Sequence, residues 1–179
     1  MLSDLKSIPE LGELHSLTFL AIFGCQKLTC LPEELECITR LKTLVIGGFC
    51  EELDVFPSLS SIQHLHTSLQ ALALFGWDKL NSLPDEIQLF TSLEELSIYS
   101  FDGLEALPEW LCNISSLQGL ILNGCKNLMY LPTLHAMQRL NKLESLWIFN
   151  CPKLKERCAR GSRAEWSKIA HIQDLRLKD

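Results

Sequence analysis

Six copies of one apolar pattern run along the chain and restrict its fold more than any other feature of the sequence. Each copy reads Leu-x-x-Leu-x-Leu/Ile, and the copies begin at Leu17, Leu41, Leu69, Leu93, Leu117 and Leu143. Successive copies are 24, 28, 24, 24 and 26 residues apart, and all eighteen apolar positions hold Leu or Ile. Apolar residues at the fourth and sixth positions, alternating with variable ones, predict a strand with one buried face.

One such strand cannot bury its own apolar face, whereas parallel stacking of repeats builds a continuous core. A spacing near 20–29 residues is typical of leucine-rich repeats. We therefore predict an α/β solenoid, a leucine-rich-repeat horseshoe with a parallel concave β-sheet and a mostly irregular or short-helical convex side. The expected organisation is a partial N-terminal repeat over residues 1–16, six repeats over 17–154, and a C-terminal cap and tail over 155–179. The incomplete first unit also favours the end piece of a longer array.

The residues that follow each strand pattern are also repetitive. The ninth position holds only Cys or a large aromatic residue: Cys25, Phe49, Trp77, Phe101, Cys125 and Cys151. This composition predicts a side chain that points inward. Most units continue Leu-x-x-Leu-Pro, and proline suits the turn at which each coil leaves the sheet because it lacks a backbone donor. The second unit is longer, and its extra residues around 63–68 are expected on the convex side.

The C-terminal segment departs from the repeat and is more polar. Ser162 followed by Glu165 fits a helix capping box, which predicts a short helix beginning there. Trp166 and Ile169 would share one face of that helix and cover the last strand.

Cysteine and histidine are the residues of this chain that could bind a metal ion or take part in catalysis. None of the eight cysteines has zinc-knuckle spacing, and the preferred interpretation is small buried thiols. Their even number leaves a disulfide framework conceivable, although a reducing compartment disfavours it. His64 and His66 lack suitable partners for a metal, and no nucleophile–base set is apparent. We predict no metal site, no cofactor in this chain and no enzymatic activity.

The third, fifth and seventh positions of each repeat should point outward on the concave face, where polar residues would suffice. Several are aromatic instead: Phe19, Phe23, Phe75, Tyr99, Trp147 and Phe149. Exposed aromatic residues often mark protein contacts, so these six are the predicted partner-binding residues. The alternatives are that neighbouring rings cover one another or contact an upstream domain of the same protein.

Charge and hydropathy narrow the expected partners and location. The net charge is −6, with acidic and basic residues interspersed, which argues against a nucleic-acid surface. No apolar run approaches the roughly 20 residues of a membrane span. The first residues lack the basic start and apolar region of a secretory signal. A cytoplasmic location is expected.

The repeat unit from Leu17 to Pro32 resembles those of plant intracellular disease-resistance proteins. The ending Cys151-Pro152-Lys153-Leu154-Lys155-Glu156-Arg157-Cys158, with Gly161, Trp166 and residues 168–172 after it, is similar to the C-terminus of the coiled-coil class of nucleotide-binding leucine-rich-repeat receptors. The segment 162–165 departs from that family, which more often has a shorter acidic stretch before the Trp.

This resemblance implies a domain that senses pathogen effectors, directly or through a guarded host protein, and restrains an upstream nucleotide switch. ATP or ADP would bind in that upstream domain, because this chain has no phosphate-binding loop. The alternative is a free-standing cytosolic leucine-rich-repeat scaffold. An extracellular receptor domain is a third possibility, but it usually has Asn at the ninth position and paired cysteine caps, and this sequence has neither.

Overall fold

The computed structural model describes residues 15–159 and 165–179. In these residues seven five-residue strands form one parallel sheet in chain order. The strands are β1 (Phe19–Phe23), β2 (Thr43–Gly47), β3 (Ala71–Phe75), β4 (Glu95–Tyr99), β5 (Gly119–Asn123), β6 (Ser145–Phe149) and β7 (Asp174–Lys178). The predicted partial repeat over residues 1–16 lies almost entirely outside the described residues.

Neighbouring strands pair so that equal repeat positions face each other. Leu44 pairs with Leu72, for example, and Leu72 pairs with Leu96. Because side chains alternate between the two faces of a strand, this register gathers the fourth and sixth positions on one side of the whole sheet. The predicted solenoid architecture is confirmed.

The core lies behind the sheet and is continuous along it. All eighteen apolar pattern positions are buried except Leu17 and Leu20, which lie at the β1 edge and are half-buried. Burying one Leu or Ile side chain stabilises the fold by about 1.5–3 kcal/mol. Because the repeats bury the same pattern positions, each one contributes a similar amount to the free energy of unfolding. The ninth position is buried in all six units, as predicted.

Short helices form the convex side. Four are 3₁₀ helices, Glu33–Cys37, Ser60–Thr67, Asp85–Leu89 and Glu109–Asn113, and the fifth is α1, Leu134–Met137. Prolines immediately precede three of the 3₁₀ helices, at Pro32, Pro84 and Pro108. The extra residues of the second unit lie in the eight-residue helix Ser60–Thr67, which confirms their convex location.

The second unit is also irregular in the core, where aromatic rings fill the added space. Phe56 lies between three rings, with centroid distances of 5.7 Å to Phe49 and 5.8 Å to both Trp77 and Phe101. The Trp77 indole Nε1 donates a hydrogen bond to the Leu53 carbonyl oxygen at 2.8 Å. The aromatic residues at the ninth position of the second, third and fourth repeats therefore pack around Phe56, whereas the other three repeats hold the smaller cysteine there.

The C-terminal segment contains more sheet than the sequence led us to expect. After α2 (Pro152–Arg157) and α3 (Trp166–Ile169), β7 pairs with β6 in the same parallel register. Its residues repeat the strand pattern as Ile172-x-x-Leu175-x-Leu177. The segment 155–179 thus contributes a seventh strand as well as helices.

The predicted capping box is wrong for Glu165. Ser162 lies outside the described residues, and α3 begins only after Glu165, whose side chain makes no capping hydrogen bond. Its carboxylate instead accepts bonds from the Leu131 backbone N–H at 2.9 Å and from Lys168 Nζ at 2.7 Å. The apolar face of the helix is as predicted, because Ile169 is buried and Trp166 packs against the core. Helix α3 also contacts α1.

The cysteines divide by position. All eight are free, and five are buried: Cys25, Cys112, Cys125, Cys151 and Cys158. Burial raises the pKa of Cys112 to about 11 and that of Cys158 to about 12. The interpretation as buried thiols is wrong for Cys30 and Cys37, which are exposed, and for Cys50, which is half-buried.

Candidate protein-binding site on the concave face

The outward positions of the strands form straight rows across the concave face, because all strands share one register. The row at the seventh position reads Phe23, Gly47, Phe75, Tyr99, Asn123, Phe149 and Lys178. Neighbouring residues in one row therefore lie about 4.8 Å apart, the spacing between adjacent strands.

Three aromatic side chains of this row form an aromatic ladder: Phe23, Phe75 and Tyr99. The Phe75 and Tyr99 rings stack with a centroid distance of 4.3 Å and an interplanar angle of 7°. Phe23 meets Phe75 edge-on at 4.7 Å. Such pairs stabilise by about 0.5–1.5 kcal/mol beyond the area they bury, so the ladder is ordered in the absence of a partner.

Gly47 permits the contact between Phe23 and Phe75, which lie on strands that are not adjacent. It occupies the ladder's row on the intervening strand and leaves the space above it to the two rings. Its φ is +140°, and a Cβ at this position would lie 2.0 Å from the Phe75 carbonyl oxygen. No other amino acid fits here, and the sequence pattern alone did not indicate this requirement.

A second aromatic group, the terminal pair Trp147 and Phe149, lies on β6. Their ring centroids are 6.2 Å apart. The Trp147 Nε1 donates to Asp174 Oδ2 at 2.9 Å, and the Arg176 guanidinium lies 4.3 Å from the Trp147 ring centroid. Arg176 also donates to both Asp174 oxygens, and its hydrogen bonds, with that of Trp147, lower the pKa of Asp174.

The six predicted residues are therefore not one continuous stripe. The ladder holds three of them, the terminal pair holds two, and Phe19 lies apart at the β1 edge with 57% of its surface exposed. Strand β5 separates the two groups, because its outward positions hold Gly119, Ile121 and Asn123. The alternative that neighbouring rings cover one another is correct for Phe75 and Tyr99, whereas Phe23 remains 57% exposed despite its contact.

A cavity of about 210 Å³, the central notch, opens on the concave face beside this interruption. Its lining consists of Glu95, Leu96, Ser97, Gly119, Ile121, Ser145 and Trp147. A second hollow adjoins it and shares Glu95, Gly119 and Ser145; Gln118, Glu144, Gln173 and Asp174 complete its lining. Sequence reasoning did not single out Glu95, Gly119, Asp174 or Arg176. The outward-row spacing includes the first two, and the β7 pattern could have revealed the other two.

Residues 15–159 and 165–179 contain no group of three or more His, Cys, Asp or Glu side chains placed to hold a metal ion. No helix in these ranges is both long and apolar enough to cross a membrane.

The in-register parallel sheet, the apolar core behind it and the short convex helices define a leucine-rich-repeat solenoid, a fold that generally binds proteins. Solved structures share this fold. The LRR protein LIC12759 of Leptospira interrogans matches over 97% of this chain and 46% of its own length, with a TM-score of 0.58 and 26% identity. The leucine-rich-repeat domain of the type III effector XopL matches over 97% of this chain and 73% of its own length, with a TM-score of 0.58 and 20% identity.

Sequence comparison relates the repeats to plant disease resistance. Residues 81–151 match the family of R13L1/DRL21 leucine-rich repeats. The chain is 34% identical over 80 residues to the disease resistance protein RPP4 of Arabidopsis thaliana, covering 45% of this chain. The match spans only 6% of the length of RPP4. The chain is a leucine-rich-repeat domain that resembles those of plant disease-resistance proteins.

Proposed function

We propose that this chain is the protein-recognition domain of a plant immune receptor and that its concave face senses a pathogen effector, directly or through a host protein. The same domain would restrain an upstream nucleotide switch by intramolecular contact. The aromatic ladder is the observation that carries the proposal. The resemblance to disease-resistance repeats supplies the biological setting.

The ladder suits a protein contact for energetic reasons. Nothing in the core requires aromatic residues at outward positions, yet Phe23 and Phe19 each leave 57% of their surface exposed. Large aromatic side chains dominate the binding energy of protein interfaces. Because the rings are already ordered by stacking, a partner would gain their apolar area with little loss of conformational freedom.

The remaining features of the parent protein follow from the resemblance and belong to the same proposal. The receptor would be of the coiled-coil class and act in the cytoplasm. Its ATP or ADP would bind in a domain upstream of these repeats. This chain would contribute binding and restraint and no catalytic step.

The test replaces Phe23, Phe75 and Tyr99 with glutamine in the gene that encodes this chain, followed by expression in leaves. Cell death should change, either by loss of the effector response or by activity without an effector. The isolated chain carrying the same substitutions is checked for fold by circular dichroism. If the triple variant does not fold, Phe23→Gln alone gives the answer, because Phe23 lies mostly in solvent.

A matched control replaces three exposed apolar residues that lie away from the strands: Val55, Leu89 and Leu134. They are 63%, 48% and 43% exposed, so replacing them with glutamine also removes exposed apolar surface, away from the concave face. This control should signal like the unmodified receptor. Unchanged signalling from a folded ladder variant would exclude the ladder as the recognition surface.

A further inference from the structure

We propose that the central notch binds an arginine side chain presented by the protein partner. The inference rests on the proposed function, since it assumes that the concave face is a protein-binding surface. It adds the chemistry of one contact, at a place distinct from the aromatic ladder.

The notch exists because Gly119, the first residue of β5 and the third position of its repeat, has no side chain. Glu95, Gly119 and Ser145 are neighbours in one row, and the missing side chain in the middle opens the surface between the outer two. A Cβ on Gly119 would meet Ser145 Oγ at 3.1 Å and Glu95 Cγ at 3.8 Å. The backbone φ does not require glycine there, because it is not in the left-handed region. The glycine therefore leaves room rather than relieving strain.

The size of the notch fits one side chain of a larger partner. Its volume is about 210 Å³, below the range of roughly 300–1,000 Å³ that is typical of sites for small molecules and cofactors. Its walls include the apolar surfaces of Ile121 and Trp147, both of which are half-buried. A long side chain with an aliphatic stem would bury that stem against these walls.

The negative charge around the opening favours a positively charged side chain. Glu95 lies between the notch and the adjoining hollow, and Glu144 and Asp174 line that hollow. No Lys or Arg contributes to either lining. Among the described residues, Arg176 is bonded to Asp174, whereas Glu95 and Glu144 are exposed and have no ion pair with any described side chain. A cation that enters the notch would meet the Glu95 carboxylate, and the Glu144 carboxylate lies in the adjoining hollow.

Arginine fits this arrangement better than lysine for two reasons. Its planar guanidinium forms paired hydrogen bonds with a carboxylate and stacks on aromatic rings, while a lysine ammonium is a strongly hydrated point charge. Trp147 is held in place by its bond to Asp174, and Arg176 already stacks on its ring. The structure therefore contains an internal example of the contact that we assign to the partner.

The test is an NMR titration of the full ¹⁵N-labelled chain with the peptide acetyl-Gly-Arg-Gly-amide. We expect saturable shifts of the Gly119 amide and the Trp147 indole N–H signals, with a Kd of about 1 mM, as befits a single side chain. The same peptide with citrulline, which keeps the shape and removes the charge, should bind at least about tenfold more weakly. A lysine peptide that binds as tightly as the arginine peptide would overturn the assignment to arginine.

Variants test the location of binding. Gly119→Val fills the notch, and Glu95→Gln removes its unpaired charge; either should weaken arginine binding at least about tenfold. The matched controls are Ala71→Val, at the same strand position of β3, and Glu105→Gln, which removes an exposed carboxylate elsewhere. Both controls should bind like the unmodified chain. If Gly119→Val fails to fold, Glu95→Gln still decides the result.

Failure of this inference differs from failure of the proposed function. No saturable shift in the unmodified chain, or undiminished binding by folded Gly119→Val, would overturn the arginine site. The cell-death test uses Phe23, Phe75 and Tyr99, none of which lines the notch. An effect of the ladder variant together with no arginine binding would retain the proposed function and discard only this contact.

Discussion

The two halves of the concave sheet share one repeat and are ordered by different forces. From β1 to β4 the outward side chains are held by ring stacking above a glycine, with Phe23, Phe75 and Tyr99 in direct contact. From β5 to β7 they are held by charge, since Trp147 bonds to Asp174 and stacks with Arg176. The fourth and sixth positions of the repeat hold Leu or Ile in both halves. The repeat therefore specifies the inner face and leaves the outer rows free to acquire different recognition chemistry.

The convex side of the C-terminal half shows the same use of charge. Glu165 is only 3% exposed, and its carboxylate joins the Leu131 backbone to Lys168. Lys168 Nζ also donates to the Leu131 carbonyl oxygen at 3.1 Å. This small network fastens α3 to the fifth repeat. The β1 edge has no comparable arrangement among the described residues, and Leu17 and Leu20 are only half-buried there.

The largest effect is expected from Gly47→Ala, which tests whether the N-terminal half depends on a missing side chain. The new Cβ would lie 2.0 Å from the Phe75 carbonyl oxygen, so β2 and β3 would have to separate locally. Backbone strain and overpacking together should lower the free energy of unfolding by about 4 kcal/mol. Urea unfolding followed by circular dichroism measures it.

The control for this prediction is Gly24→Ala. Gly24 also has a positive φ, +72°, but a Cβ there would have nothing within 4 Å. It should cost only about 1–2 kcal/mol, the penalty of the left-handed conformation alone. Equal losses for the two variants would mean that the close contact with Phe75 does not govern stability in this half.

Glu165→Ala should have the next largest effect and tests the C-terminal half. It leaves the Leu131 N–H without its partner and removes the ion pair of Lys168, for a loss of about 3 kcal/mol in the free energy of unfolding. Glu156→Ala is the matched control, because Glu156 is exposed in the same segment. It should change stability by about 0.5 kcal/mol or less. A similar small change for both variants would show that the buried network does not hold the end of the solenoid.

The inner face of this fold could be predicted from the sequence, because burial repeats with a fixed period. Strand register, core positions and the inward ninth position all follow from the spacing of Leu and Ile. The seventh strand could also be predicted, since Ile172, Leu175 and Leu177 keep the pattern. It was missed because two short helices and a polar segment separate it from the sixth copy.

The candidate site was less predictable, because it depends on contacts between rows rather than on spacing along the chain. The ladder requires the Phe23 ring to contact Phe75 above Gly47, and no pattern within one repeat predicts this contact. The notch depends on Gly119 lying between Glu95 and Ser145, a juxtaposition that only the register creates. The aromatic residues were visible in the sequence, but their division into two groups was not.

The smallest effect is expected in the reactivity of the thiols. Their labelling compares the two halves without a substitution that would change stability. Cys30, Cys37 and Cys50 all lie between β1 and β3 and reach solvent to some degree, although Cys25 in the same region is buried. The four cysteines that follow β4 are all buried: Cys112, Cys125, Cys151 and Cys158. Maleimide labelling of the native chain at neutral pH, read by peptide mass spectrometry, should modify Cys30 and Cys37 first, Cys50 more slowly, and the C-terminal four only after unfolding.

The pKa values give this last prediction its pH dependence. Because burial raises the pKa of Cys112 to about 11 and of Cys158 to about 12, their neutral forms are favoured in the folded state. The stability they contribute is complete below the unfolded thiol pKa of about 8.5 and declines as the pH rises towards those folded values. Labelling of Cys112 and Cys158 in the folded chain should therefore begin only in strongly alkaline solution. Rapid labelling of Cys112 or Cys158 near neutral pH would show that this part of the chain opens more readily than the burial of the two thiols implies.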